Sequence, residues 1–223
     1  MSSKKLEIKT PDGYIQLIIE LLYDYFGDVE TPLTHKNNEQ LTIAVVLSAQ
    51  TTDDQVNKVT PELFKRYPTM ESLASAPLSD IEKIIFSTGF YKNKAKHIKA
   101  LAKDVINLHN GKIPNDFNAL LKLPGVGRKT ANVVMDCAFH KSVGVVVDTH
   151  VKRISQRLNL TNEKTPEKIE QDLMRVIPKD EWKNITLHFI YLGRKFCMAR
   201  KPACSECILN KICPSADIST LEG

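Results

Sequence analysis

Apolar residues recur along this chain at the spacing of helix faces, and strand-like alternation is scarce. Ile15, Ile18, Ile19, Leu22 and Phe26 share one face of a helix opened by Thr10-Pro11-Asp12, where a proline at the first helical position forfeits no hydrogen bond. The same period predicts helices near residues 41–49, 80–87, 92–109, 128–139, 149–158, 166–176 and 180–195, with a short one from Phe117 to Lys122. Thr52-Asp53-Asp54-Gln55 and Ser79-Asp80-Ile81-Glu82 read as capping boxes. Thr165-Pro166-Glu167-Lys168 matches only in part, because a lysine stands where glutamate or glutamine would close the box. Gly89 and Gly111 are the expected helix stops, and Pro61 is expected to divide its helical run into two short helices. The one strand-like run, Val143 to Val147, is short and reads as an extended linker that delivers Asp148 to cap a helix starting at Thr149. The fold class expected from this pattern is all-α.

Composition narrows the setting without changing that picture. A chain of 223 residues can bury the core of one large or two small domains. At 42% hydrophobic and 26% charged it is ordinary for a soluble globular protein. No apolar run reaches the roughly 18 residues of a membrane span. Met1-Ser2-Ser3-Lys4-Lys5 is not followed by the apolar core of a signal peptide, so a cytoplasmic protein is expected. The net charge of +5 arises mostly after residue 140. Before that point Lys92, Lys94, Lys96, Lys99 and Lys103 cluster without an acid among them. Such clusters fit a polyanion partner, and equally a solvated helix face.

Candidate chemistry begins at Leu123-Pro124-Gly125-Val126-Gly127-Arg128-Lys129-Thr130, a tight turn between two helices. Gly125 and Gly127 are expected to take up left-handed backbone and to admit another backbone closely. The following helix starts with free N–H groups and the positive end of its dipole, which suits a phosphate, and Thr130 could add a hydroxyl. Contacts of that kind position a protein on DNA without reading its sequence. Lys129 then stands where DNA backbone would arrive, either as a phosphate contact or as an amine able to attack a sugar carbon. Attack requires the uncharged amine, which burial and a cationic neighbour such as Arg128 would favour. A carboxylate at Asp148 could take up a proton and stabilise positive charge developing on a sugar ring.

Cys197, Cys204, Cys207 and Cys213 place four thiols in a short segment with a single close pair. In a reducing compartment such clusters bind metal more often than they form disulfides. Structural zinc sites usually draw on two close pairs, so the spacing suits an iron–sulfur cubane, with zinc the alternative. Arg200 and Lys201, tethered between the first two cysteines, could face phosphate. Cys137 lies on an apolar helix face and reads as a core residue.

Together these motifs resemble the endonuclease III family of DNA glycosylases. The hairpin from Leu123 to Asn132, the segment Val147-Asp148-Thr149-His150, the stretch Leu47-Ser48-Ala49-Gln50 with Thr52-Asp53, and Gly89-Phe90-Tyr91-Lys92-Asn93-Lys94-Ala95 carry the likeness. So does the spacing of the four cysteines, and the resemblance spans residues 15 to 213. It implies two helical domains with DNA in the cleft between them: a contiguous one over 31–141, and a second joining 1–30 to 142–223 and holding a [4Fe–4S] cluster. It also implies a monomer acting on double-stranded DNA that carries damaged pyrimidines or abasic sites, nucleoid-associated when bound. Lys129 would attack C1′ and form a Schiff base, Asp148 would assist base loss, and β-elimination would cut the strand. Gln50 would fill the gap left by the flipped nucleotide, and Phe90, where the family often has leucine, would serve as an apolar wedge. Gly125, Gly127, Arg128, Thr130, His150, Arg200 and Lys201 would contact DNA. An adenine glycosylase of the same superfamily is the neighbouring alternative, but it would lack the lysine and usually carries a further C-terminal domain, for which the residues after Cys213 leave no room. A non-catalytic iron–sulfur DNA-binding module would leave the Lys129–Asp148 pair without a purpose.

Overall fold

The computed structural model describes residues 11–216. Thr10 and the Met1–Lys5 segment lie outside the described residues, as does the chain's end. Among the described residues the regular structure is entirely helical: α1 (Pro11–Phe26), α2 (Asn38–Leu47), α3 (Asp53–Arg66), α4 (Met70–Ser75), α5 (Leu78–Ile84), α6 (Tyr91–His109), α7 (Phe117–Leu121), α8 (Arg128–Phe139), α9 (Thr149–Arg157), α10 (Pro166–Val176) and α11 (Trp182–Lys195). No helix there is long and apolar enough to cross a membrane. The chain divides into two compact units, one from Thr31 to Val143 and one formed by Met1–Glu30 with Gly144–Gly223.

The contiguous unit is built around α2, in which every residue from Leu41 to Leu47 is buried. A helix apolar all round belongs inside a core. Val56 and Leu63 of α3, Ile98 and Leu101 of α6, and Ala131 and Val134 of α8 close over it. The discontinuous unit packs Ile15, Ile18, Ile19 and Leu22 of α1 against Val151 and Ile154 of α9, Ile169 and Leu173 of α10, and Phe189 and Leu192 of α11. His188 is buried in this core, and its Nε2 lies 2.9 Å from the carbonyl of Gly27, which follows the end of α1. Burial holds the ring below its ordinary pKa, against smaller opposing effects of that carbonyl and of Glu181 and Asp28. The neutral ring donates to the carbonyl through Nε2–H.

Several local expectations are corrected. Pro61 does not break α3, which runs through it. It sits on the exposed face, where the carbonyl it cannot serve can meet water. Ser79 caps nothing: α5 starts at Leu78, behind Pro77, with no side-chain cap. Thr52 does cap α3, accepting from the Gln55 N–H at 3.3 Å, but the Gln55 amide turns away to Ser87 Oγ at 2.6 Å, so the box is half made. Thr165 makes no side-chain cap bond. A reciprocal box that the expected Glu or Gln pattern passes over joins Thr69 to Ser72.

Candidate active site

The hairpin forms between α7 and α8. Asp116 caps α7, with Oδ1 accepting from the Ala119 N–H at 2.7 Å, and the Val126 N–H closes the turn on the Leu123 carbonyl at 3.1 Å. Leu120, Leu123 and Val126 are buried and anchor it. Its two glycines serve different ends. Gly125 is left-handed (φ 78°), and a Cβ there would stand 2.9 Å from Cβ of His97 on α6, so conformation and space both demand glycine. Gly127 is not left-handed, contrary to expectation: it is the extended N-cap of α8 (φ −91°, ψ 179°). Nothing lies within 4 Å of where its Cβ would be, so the missing side chain leaves the approach to the helix N-terminus open. No acid occupies the first turn of α8. Arg128 stands there instead, its guanidinium 5.6 Å from the Phe117 ring centroid, followed by Lys129 and Thr130. The helix dipole and two cationic side chains make this a place for an anion. Lys129 is exposed, so the expected burial of its amine is not found. Only a bound substrate could exclude water from it.

Gln50 and Phe90 stand at two loop tips of the same unit. Both are left-handed although neither is glycine (φ 54° and 46°). Gln50 is exposed, and Phe90 is 66% exposed, near an equally bare Phe86 at 64%. Two bare phenyl rings four residues apart give this tip an apolar surface for a partner to cover. The lysine cluster is not one surface. Lys92, Lys96 and Lys103 are exposed, but Lys94 is only 5% exposed and Lys99 reaches the Ala76 carbonyl. Lys94 shares a helical stripe with Ile98, Leu101 and Val105, all buried, and that period was the signal to read.

Asp148 and the cysteines belong to the discontinuous unit. Residues Val143 to Val147 form no strand, and Asp148 caps α9: Oδ1 accepts from the N–H groups of both His150 and Val151 at 2.8 Å. Both donors converge on one oxygen, leaving Oδ2 outside the cap. From the same helix two arginines reach the cysteine segment. Arg153 donates through Nε to the Cys197 carbonyl at 2.9 Å and lies 3.1 Å from His150 Nδ1. A guanidinium can only donate, so Nδ1 accepts and the ring proton sits on Nε2. Arg157 donates to Cys197 Sγ at 3.1 Å and to the Met198 carbonyl at 2.8 Å. Gly193 in the middle of α11 permits this packing, for a Cβ there would lie 2.4 Å from His150 Nδ1. Neither arginine nor this glycine was singled out from sequence. A glycine inside a helix costs about 1 kcal/mol, and that was the available signal of close approach.

The four cysteines line one cavity of about 180 Å³, together with Arg157 and Phe196. Burial, with the neighbouring thiols' charges adding to it, pushes the Cys207 thiol up to about 11 and raises that of Cys213. Four such thiolates need a polycation among them. Among the described residues no three His, Cys, Asp or Glu converge on a single ion, whereas the cavity the four cysteines share suits a group of several atoms. Arg200 and Lys201 lie exposed on the loop between Cys197 and Cys204, with Lys201 left-handed (φ 50°).

Known proteins resemble this chain over most of its length. Residues 43–179 match the HhH-GPD superfamily of base excision DNA repair proteins, and residues 197–213 match the iron–sulfur binding domain of endonuclease III. The chain is 49% identical over 205 residues to endonuclease III of Synechocystis sp., covering 92% of each. It is 43% identical over 201 residues to that of Bacillus subtilis, covering 89% of this chain and 91% of the relative. A trapped endonuclease III–DNA covalent intermediate is similar at a TM-score of 0.87 and 41% identity, over 94% of this chain and 98% of that one.

Proposed function

Because the chain belongs to the endonuclease III family within the HhH-GPD superfamily, we propose that Lys129 is the nucleophile of a DNA N-glycosylase and abasic-site lyase acting on damaged pyrimidines. The observation that carries this reading is the open N-terminus of α8, with its bare Gly127 cap and an exposed lysine in its first turn. A phosphate received by that turn would bring the adjoining sugar to Lys129.

A target nucleotide first leaves the stack, at a few kcal/mol that damage to the base reduces. Gln50 fills the space it vacates and Phe90 wedges the neighbouring step. The Lys129 amine forms a bond to C1′ as the bond from C1′ to the base breaks, and the proton the amine sheds leaves with the base. Asp148, through the oxygen its cap leaves over, steadies the positive charge that develops on the sugar. The sugar ring opens to a Schiff base between Nζ and C1′. Loss of a proton from C2′ then expels the 3′ phosphate, cutting the strand. Water finally releases the lysine.

Cys197, Cys204, Cys207 and Cys213 hold the [4Fe–4S] cluster of this family. When bound, it supplies a cationic core that makes four buried thiolates tolerable and fixes the loop bearing Arg200 and Lys201. His150 and Thr130 add DNA contacts. The enzyme acts as a monomer in the cytoplasm, at the nucleoid when engaged on DNA.

Borohydride reduction tests the central step, because it converts a Schiff base to a stable amine. Duplex DNA carrying thymine glycol or an abasic site should yield a covalent adduct with the wild-type protein. Lys129→Gln should yield none. A folded, cluster-loaded protein that gives no adduct would remove the lyase assignment and leave a DNA-binding module.

A further inference from the structure

Lys94 is a buried ammonium whose hydrogen-bond partners are both uncharged oxygens. Its Nζ donates to Thr51 Oγ1 at 2.5 Å and to the Thr88 carbonyl at 2.7 Å. Burial draws its pKa down from 10.5 to about 8, so near neutral pH the molecule keeps a charge in a place that disfavours it. An apolar side chain of the same length would fill the space without that penalty. The ammonium is therefore kept for what its directed bonds hold together.

Those bonds run between the two loop tips. Thr51 adjoins Gln50, and Thr88 lies just ahead of Gly89 and Phe90. Since Thr51 Oγ1 accepts from Lys94, it donates its own proton, and it does so to the Thr88 carbonyl. Ammonium, hydroxyl and carbonyl thus close a triangle spanning the two loops. The bond from Gln55 Nε2 to Ser87 Oγ at 2.6 Å joins the same loops from outside. Lys94 also donates its backbone N–H to the Phe90 carbonyl at 3.0 Å, so one residue grips the backbone of one tip and the flank of the other. Both tips are left-handed at Gln50 and Phe90, a backbone state such residues adopt only where the surroundings impose it.

We propose that Lys94 is a positioning residue that fixes the spacing of the Gln50 and Phe90 tips, so that the two enter a duplex as one unit when a nucleotide is extruded. This rests on the preceding reading, in which those tips probe DNA and Lys129 does the chemistry. Lys94 itself, being buried, does not touch DNA. Loosening it should therefore slow extrusion and spare the steps that follow.

The test compares the cluster-loaded enzyme with Lys94→Met, in which a chain of similar length keeps the packing and loses the donors. Three single-turnover reactions are followed: excision of thymine glycol from a fully paired duplex, excision of the same lesion from a mispaired bulge, and borohydride trapping on a preformed abasic site. An aminopurine reporter beside the lesion reads extrusion directly. Excision from paired DNA should fall about tenfold or more, with the aminopurine signal slowing in step, because the enzyme then meets the full unstacking cost. The bulged lesion should rescue the variant to within about threefold of wild type, since its base is already half out, and abasic-site trapping should change as little. Thr51→Val, which removes the bridging hydroxyl with little change in shape, should show the same pattern and carries the test if Lys94→Met does not fold. Wild-type excision from paired DNA by either folded variant overturns the proposal. So does an equal loss in all three reactions, which would make Lys94 a general support of the fold. If the wild-type protein itself fails at the abasic site, it is the lyase reading that falls, and this inference with it.

Discussion

A side-chain carbon on Gly193 would lie 2.4 Å from Nδ1 of His150, so the middle of α11 and the first turn of α9 meet without room for a single methyl group. Below that contact Arg153 ties the same turn to Cys197. Gly193→Ala should therefore push α9 away from α11 and lower unfolding stability by about 1–3 kcal/mol, in spite of alanine's better helix propensity. Denaturant unfolding measures the loss. An unchanged midpoint would show that the His150 ring and the Arg153 guanidinium swing aside instead.

Asp148 combines a cap with proposed chemistry, and the two can be separated. Asparagine caps helices about as well as aspartate, since it keeps an oxygen for the His150 and Val151 N–H groups. Asp148→Asn should stay within about 0.5 kcal/mol of wild-type stability while excision of a damaged base falls by about 10²–10⁴. Equal rates would reduce Asp148 to a cap.

Much of this was legible in the chain because the rules are local. Asp148 before Thr149 states its own role as a cap, and the Leu-Pro-Gly run states a turn between helices. What failed were readings settled by distant neighbours. The demand for glycine at position 125 comes from His97 on another helix, whereas Gly127 is extended and is small only so that its surroundings stay open. Lys94 belongs by charge to a run of surface lysines and by period to the buried stripe of Ile98, Leu101 and Val105, and the period decides its place. Pro61 proved harmless because it faces solvent.

Two buried bases set a pH dependence with a definite sign. The neutral forms of both His188 and Lys94 are favoured by folding, so the unfolded chain binds more protons than the folded one within each window. Stability should fall as pH drops below about 6.5 through the lowered value of His188, and should rise between about 8 and 10.5 as Lys94 discharges ahead of its unfolded counterpart. His188→Gln, whose amide can still donate to Gly27, should flatten the acid slope. Lys94→Met should remove the alkaline rise. The check is the wild-type minus variant difference across each window, since tyrosines pushed up to about 12 also titrate late.

Arg157 donates a charged hydrogen bond to Cys197 Sγ, one of the four sulfurs proposed to hold iron. Arg157→Met should lose iron to a chelator faster, seen as bleaching of the cluster's visible absorption. A wild-type bleaching rate would make the contact incidental.

Arg200 and Lys201 are exposed on the loop the cysteines tether. Replacing both with neutral residues should weaken DNA binding and flatten the slope of log affinity against log salt by up to about 2. An unchanged slope would mean that neither meets a phosphate.

The split of one unit across both ends of the chain has a consequence for biosynthesis. Ile15, Ile18, Ile19 and Leu22 leave the ribosome first, but their packing partners Ile169, Leu173, Phe189 and Leu192 are made only after the whole contiguous unit. The contiguous unit holds all of its own core and can fold while synthesis continues. Throughout that interval α1 presents an apolar stripe with nothing of its own to cover it. The nascent chain is therefore most prone to aggregate or to engage a chaperone through its first helix, and iron can be inserted only once the last of the four cysteines has emerged.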